Sequence, residues 1–284
     1  MKQSRRIEIA KDTLEILERG NYINSQGEQV DITTVQNNAV NNTRLFKPDE
    51  LEEMRAKSER TNNFQTRYEV TNETTLDAVR RLSVEEEGNV MCLNFASAKN
   101  PGGGFLGGAL AQEECIARAT GLYPCLLQAK EYYEYHRKLN TCLYSDHMIY
   151  SPNVPILKDE GGNVLDKLVY TTIITSPAVN AGVIRRNETG NIEKIVPVMR
   201  KRIEKLLALC LFHQHTTLVL GAWGCGVFQN DPEEIAELFK EALTGPFANQ
   251  FKRVVFAVKT DKESIIDPFK KRFNKEATYY NENK

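Results

Sequence analysis

From about residue 67 onward, apolar runs rich in β-branched residues alternate with segments of helical periodicity, and this alternation restricts the chain to few folds. Strands are predicted at Tyr68 to Thr71, Val90 to Phe95, His147 to Ser151, Leu168 to Ser176, Thr217 to Gly221 and Arg253 to Val258. Between the first two, Leu76, Val79 and Leu82 share one face of a helix predicted over Thr74 to Glu87. Further helices are predicted at Glu114 to Thr120, Leu122 to Lys138, Pro197 to His213 and Pro232 to Leu243. Buried strands interleaved with helices give an α/β protein whose mixed, mostly parallel sheet is covered on both faces. Ligands of such sheets bind beyond the carboxyl ends of the strands, so the loops that follow strands are where chemistry is sought.

Residues 1 to 66 read differently. Ile7, Ala10, Leu14 and Leu17 recur at helical spacing and Gly20 follows, which predicts a helix over residues 5 to 19 with a glycine stop. The stretch from 21 to 66 is polar and rich in Asn, Gln and Thr, with a short hairpin about Gly27 and a charged helix from Pro48 to Arg60. We expect a mainly helical accessory extension over residues 1–66, packed on a domain that spans 67–284.

Bulk charge narrows the partners. Thirty-seven Lys and Arg against 38 Asp and Glu leave a formal charge of -1, so no global field recruits nucleic acid or anionic lipid, and a polyanion must be held locally. Glu8, Asp12, Glu15 and Glu18 spoil a secretory or transit segment, and no apolar run reaches the roughly 18 residues that cross a bilayer. The six cysteines form no C-x-x-C pair and several sit in apolar runs, which points to a reducing, cytoplasmic setting. His213 and His215 lack further ligands at a metal-binding spacing. No metal and no cofactor is expected.

The most informative stretch runs from Asn94 to Glu114, directly after the strand that begins at Val90. Five glycines occupy the seven positions from Gly102 to Gly108, and Gln112, Glu113 and Glu114 close the stretch. Glycine at this density admits positive φ and lets successive N–H groups converge on an anion, for which a diphosphate is the natural occupant. A P-loop is excluded, because no Gly-Lys is followed by Ser or Thr. Gly102, Gly104 and Gly107 satisfy G-x-G-x-x-G only formally, since Pro101 and several polar residues separate them from the strand end where a dinucleotide fold needs its first glycine.

A second glycine-rich loop follows the strand from Thr217. Gly221, Gly224 and Gly226 fall within six residues, and Asp231 with Pro232 then starts a helix. Two such loops can close on one diphosphate. Cys225 has no partner histidine at a recognisable spacing, which argues against a thiol nucleophile, and Trp223 reads as core.

These motifs resemble the bacterial-type poly(ADP-ribose) glycohydrolases of the macrodomain superfamily, whose signature is three glycines, a short spacer, then Gln-Glu-Glu. The segment Thr13 to Leu17 with Gly20 also resembles the accessory region of these proteins. The resemblance implies a three-layer α/β/α macrodomain that takes poly(ADP-ribose) or an ADP-ribosylated target and releases ADP-ribose, as a monomer and without a membrane. It implies Glu114 as the catalytic glutamate, Glu113 as the one positioning ribose hydroxyls, Gly102, Gly103 and Gly104 as the diphosphate loop, and Gln112 beside them. It further implies Gly224, Cys225, Gly226 and Val227 as a second phosphate loop, Phe228 against the distal ribose, and Asn94 and Asn100 as ribose contacts. The segments Ser151 to Pro155 and Ser176 to Asn180 resemble loops that wall the adenine side.

The chemistry also follows from the residues. Cleavage of a ribose–ribose O-glycosidic bond passes through an oxocarbenium-like state that needs a proton on the leaving oxygen and water at the anomeric carbon. One carboxyl group can serve both needs in turn. Adjacent glutamates at a helix start point about 100° apart, so one can face the bond and the other the hydroxyls. Two other readings stay open on sequence alone, a mono-ADP-ribosyl-acceptor hydrolase and a non-catalytic ADP-ribose-binding module.

Overall fold

A computed structural model describes residues 1–58, 62–85 and 90–274. The chain opens with α1 (Gln3–Arg19), the hairpin β1 (Asn21–Ile23) and β2 (Gln29–Asp31), α2 (Thr33–Asn41), β3 (Arg44–Phe46) and α3 (Pro48–Ala56). Then follow β4 (Arg67–Thr71), α4 (Thr75–Glu85), β5 (Met91–Phe95), α5 (Gln112–Ala119), α6 (Leu122–Gln128) and α7 (Lys130–Lys138). The last part comprises β6 (Met148–Lys158), β7 (Val164–Ser176), α8 (Ala181–Asn187), α9 (Ile195–Phe212), β8 (Thr217–Leu220), α10 (Pro232–Thr244), β9 (Arg253–Ala257) and α11 (Glu263–Phe273). The predicted ends at Arg60 and Glu87 lie outside the described residues.

Seven strands form one sheet in the order β3-β6-β7-β5-β8-β9-β4. The pairs β7–β5, β5–β8, β8–β9 and β9–β4 are parallel, whereas β3–β6 and β6–β7 are antiparallel. The mixed, mostly parallel sheet is the one expected. Residues on β5, β8 and β9 are almost all buried, because helices cover both faces and each strand therefore reads as a continuous apolar run. Met91, Leu93, Ile174, Leu218, Leu220, Val254 and Phe256 pack against α3 and α8 to α11 on one side. Cys92, Ile173, Val219 and Val255 face α2 and α4 to α7 on the other, so successive residues of a strand serve opposite layers.

Several elements differ from expectation. β3 is too short to carry a periodic signal, yet Arg44, Leu45 and Phe46 pair with Tyr150, Ile149 and Met148 and form the edge of the sheet. The helix expected over Leu122 to Lys138 is two, broken at Ala129, whose ψ of 47° is not helical. Ser151 to Pro155 is not a loop past a strand: β6 continues through it, with a register shift between Ser151 and Val154 and Asn153 at φ 50°. His213 stacks on the ring of Tyr150 and His215 Nε2 lies 3.0 Å from the Tyr150 hydroxyl, which accounts for this pair by packing. Among the described residues, no helix is long and apolar enough to cross a membrane.

Helix α1 ends as predicted, with Gly20 at φ 79° donating its N–H to the Ile16 carbonyl at 2.8 Å. Its buried face rests on Phe105 and Ala117, behind the first glycine-rich loop.

Candidate active site

The sheet opens at its carboxyl edge. β5 remains paired with β7 as far as Phe95 and Ser176, but with β8 only through Met91–Leu218 and Cys92–Val219. Beyond that point β5 and β8 splay, and their loops leave in opposite directions. This is the topological switch point at which open α/β sheets bind ligands. A cavity of about 900 Å³ lies there, lined by loops following β4, β5, β8 and β9 together with the start of α5. That volume suits a dinucleotide-sized ligand.

Gln112 closes the split in the sheet. Its Oε1 accepts the Phe95 N–H at 2.8 Å, and its Nε2 donates to the Leu93 carbonyl at 2.7 Å and Thr75 Oγ1 at 3.1 Å. The resemblance implied a ligand contact for Gln112. The side chain lines the cavity and also ties the edge of β5 to the first turn of α5, which carries the two glutamates.

Those glutamates differ in environment. Glu113 is 3% exposed; its Oε2 accepts the Ser97 N–H at 2.6 Å, and Asn94 Nδ2 lies 3.3 Å from its Oε1. Burial, with a smaller contribution from the charge on Glu114, pushes its carboxyl up to about 8. Glu114 is half-buried at the cavity wall, and its Oε1 accepts the Gly104 N–H at 3.0 Å. Asn94 departs from its implied role. It is fully buried, donates also to Thr175 Oγ1 at 3.1 Å, and reaches the ligand space only through Glu113.

The glycines expected to cradle a diphosphate, Gly102 to Gly104, turn donors toward the protein itself. The Gly104 N–H is taken by Glu114, the Gly103 N–H by the Asn100 carbonyl at 3.0 Å and the Phe105 N–H by the Gly102 carbonyl at 3.3 Å. A β-carbon at Gly103 would lie 2.3 Å from Glu114 Oε1, and φ there is +59°. Glycine is needed here so that the backbone can touch the two carboxyl groups. The loop is a carboxylate holder, and its density in the sequence could not reveal where its N–H groups point.

The second loop has the opposite character. Gly224 sits at φ +74° where a β-carbon would meet Ala178 and Asn230 at 2.5 Å, so only glycine fits, and Asn230 Nδ2 donates to the Val179 carbonyl at 2.7 Å. Among the described residues, the N–H groups of Gly226, Val227 and Phe228 meet no hydrogen-bond acceptor, while all three residues line the cavity. Successive unengaged N–H groups form an anion nest. Cys225 lines the cavity with its thiol pushed up by burial, so it stays protonated, and Trp223 is fully buried. Phe228 is half-buried and Val227 is exposed at the rim.

Asn100 lines the cavity from an exposed turn in which its N–H bonds Ser97 Oγ at 3.1 Å. Ala178, from the Ser176 to Asn180 segment, joins the wall. Sequence reasoning missed Tyr144, whose φ of 56° turns it into the cavity with its ring centroid 6.1 Å from that of Phe228. It also missed Glu73, Thr74 and Thr75 after β4, and Val258, Lys259 and Thr260 after β9, which line the part of the cavity nearest those strands. A strand end followed by polar residues was the available signal for both groups; Tyr144 offered none.

Glu113 sets a pH dependence of stability. Its pKa in the fold lies above the ordinary value of 4.5, so its contribution is complete below that value and is lost progressively as pH rises through about 8. The melting temperature should therefore fall between about pH 5 and pH 9, and Glu113→Gln, which is neutral throughout, should flatten that slope. Equal slopes in both proteins would remove the assignment.

Fold and site together define a macrodomain-like α/β protein with a nucleotide-sized cleft walled by paired glutamates and a backbone anion nest. The family model of the microbial-type PARG catalytic domain, where PARG is poly(ADP-ribose) glycohydrolase, matches residues 10–159. The chain belongs to this family. Poly(ADP-ribose) glycohydrolase from Thermomonospora curvata is 45% identical over 95% of this chain and 100% of that chain, with a TM-score of 0.91. A structure of that enzyme bound to the inhibitor ADP-HPD matches with a TM-score of 0.88 at 45% identity, covering 95% of this chain and 100% of that chain. The Deinococcus radiodurans glycohydrolase in complex with ADP-ribose is 43% identical over 86% of this chain and 98% of that chain, with a TM-score of 0.81. No curated protein matches the chain.

Proposed function

We propose that this protein hydrolyses the ribose–ribose O-glycosidic bond of poly(ADP-ribose) from chain ends and releases ADP-ribose. The observation that carries this is one cavity shared by an open anion nest, Gly226 to Phe228, and a glutamate held by backbone, Glu114. The relatives solved with ADP-ribose and with ADP-HPD support placing the terminal ADP-ribose in this cavity.

The diphosphate accepts from the nest, which places the distal ribose toward α5. Because Oε1 of Glu114 accepts from Gly104, the proton of its acid form sits on Oε2. That proton passes to the leaving oxygen as the glycosidic bond breaks, and the resulting carboxylate stabilises the oxocarbenium ion and then takes a proton from the attacking water. Glu113 and Asn100 hold ribose hydroxyls. Phe228 with Tyr144 behind it covers the distal ribose, so internal units are excluded.

Purified protein given automodified poly(ADP-ribose), and in parallel a mono-ADP-ribosylated protein, tests this reading. Free ADP-ribose should accumulate from the polymer without oligomers, and much faster than from the mono-modified target. Equal release from the mono-modified target would favour an acceptor hydrolase, and oligomers in the product would contradict cleavage from the ends.

A further inference from the structure

The outer part of the first glycine loop carries three consecutive carbonyls, each held by a side chain from elsewhere. Gln3 Nε2 donates to the Gly107 carbonyl at 2.9 Å, Arg6 Nε to the Gly108 carbonyl at 2.6 Å and Arg118 Nη1 to the Ala109 carbonyl at 2.7 Å. Two of the three come from α1, more than 100 residues away in sequence. The approach is close enough that a β-carbon at Gly108 would lie 2.8 Å from the Gln3 carbonyl oxygen.

Inside the loop, the N–H groups of Gly107 and Ala109 both bond to the Gly104 carbonyl, at 3.0 and 3.2 Å. That glycine's own N–H holds Glu114 Oε1. The contacts therefore run unbroken from the Arg6 guanidinium to the carboxylate of Glu114.

The clamp is itself anchored. Lys158, fully buried, donates to the Ile9 carbonyl at 3.1 Å and to Thr13 Oγ1 at 2.8 Å and pairs with Asp12 Oδ2 at 2.6 Å, while Thr13 Oγ1 bonds the Arg118 carbonyl at 2.5 Å. A buried ammonium satisfied this fully fixes α1 along its axis relative to β6 and α5. The charged Nε–H of Arg6 makes a stronger bond to a carbonyl than a neutral donor would.

We propose that Arg6 is a positioning residue for hydrolysis: from α1 it clamps the glycine loop so that the Gly104 N–H sets the orientation of Glu114. This rests on the reading of Glu114 as the catalytic acid. Arg6 touches no substrate, so its loss should act on turnover and leave the anion nest intact.

The test compares Arg6→Ala, Arg6→Lys, Gln3→Ala and, as a control on the same helix, Arg5→Ala, whose exposed side chain pairs with Glu8. Turnover of poly(ADP-ribose) and the dissociation constant for ADP-ribose are measured for each, beside the unmodified protein. Arg6→Ala should lower kcat about tenfold with ADP-ribose affinity within about twofold of the original, because misplacing a catalytic group costs rate and not uniform binding. Arg6→Lys should recover part of the loss, Gln3→Ala should show a smaller loss in the same direction, and Arg5→Ala should match the unmodified protein. An unchanged kcat in both Arg6→Ala and Gln3→Ala, or a loss of kcat matched by loss of ADP-ribose affinity, would overturn the proposal. If the unmodified protein releases no ADP-ribose from polymer, the functional reading fails instead.

Discussion

Glu114→Gln is expected to lower the turnover of poly(ADP-ribose) by about 10³-fold while ADP-ribose still binds, since removing a general acid typically costs 10²–10⁴ in rate. The amide oxygen of glutamine can still accept the Gly104 N–H that Glu114 Oε1 accepts, so the loop keeps its shape and only the transferable proton is lost. The diphosphate contacts proposed at Gly226 to Phe228 lie on another loop, which this substitution does not touch. Single-turnover hydrolysis of labelled polymer, with ADP-ribose titration by calorimetry, measures both quantities. Retained hydrolysis would remove Glu114 as the acid; joint loss of hydrolysis and binding would show that it holds the ligand instead. The same change at Glu113 should raise KM as well, because that side chain is assigned to the ribose hydroxyls.

Gly103→Ala should produce the second largest effect. The added carbon would lie 2.3 Å from Glu114 Oε1, 2.9 Å from its Cδ and 3.1 Å from Glu113 Oε2, at a backbone φ of +59°. Both carboxyl groups must move or the loop must shift. A displacement near 1 Å at a catalytic group costs about 10²-fold in rate, and the left-handed backbone adds roughly 1–2 kcal/mol of destabilisation. We expect kcat to fall by that factor and the melting temperature to drop by about 2–4 °C, about what 1–2 kcal/mol gives in a protein of this size. Near-normal turnover would show that the loop does not place the glutamates.

How much of this was legible beforehand depended on whether a feature is local. The glycine stop of α1, the Asp231–Pro232 start of α10 and the buried runs at β5, β8 and β9 are local, and each stands as predicted. Of the first motif, Gln112, Glu113 and Glu114 line the cavity. What those residues do there was less visible, because density of glycine says nothing about which way an N–H points. Gly103 and Gly104 spend their donors on the turn and on Glu114, and the open nest lies on the other loop. Asn94 was read as a ribose contact because its amide suits ribose hydroxyls, and Gln112 as a ligand contact through the resemblance. Both are committed to protein partners, created by the splay of β5 from β8 and by the burial of Glu113. β3 belongs to the sheet through partners about 100 residues away, and the bond from Arg6 to Gly108 spans a similar distance. Neither can be inferred from neighbours in sequence.

Soaking ADP-ribose into crystals of the Glu114→Gln variant tests the central claim most directly. The pyrophosphate should sit on the N–H groups of Gly226, Val227 and Phe228, with the anomeric carbon of the distal ribose within about 3–3.5 Å of the side-chain atom that replaces Glu114 Oε2. Pyrophosphate density on Gly102 to Gly104, or a residue 114 side chain turned away from the sugar, would contradict the account.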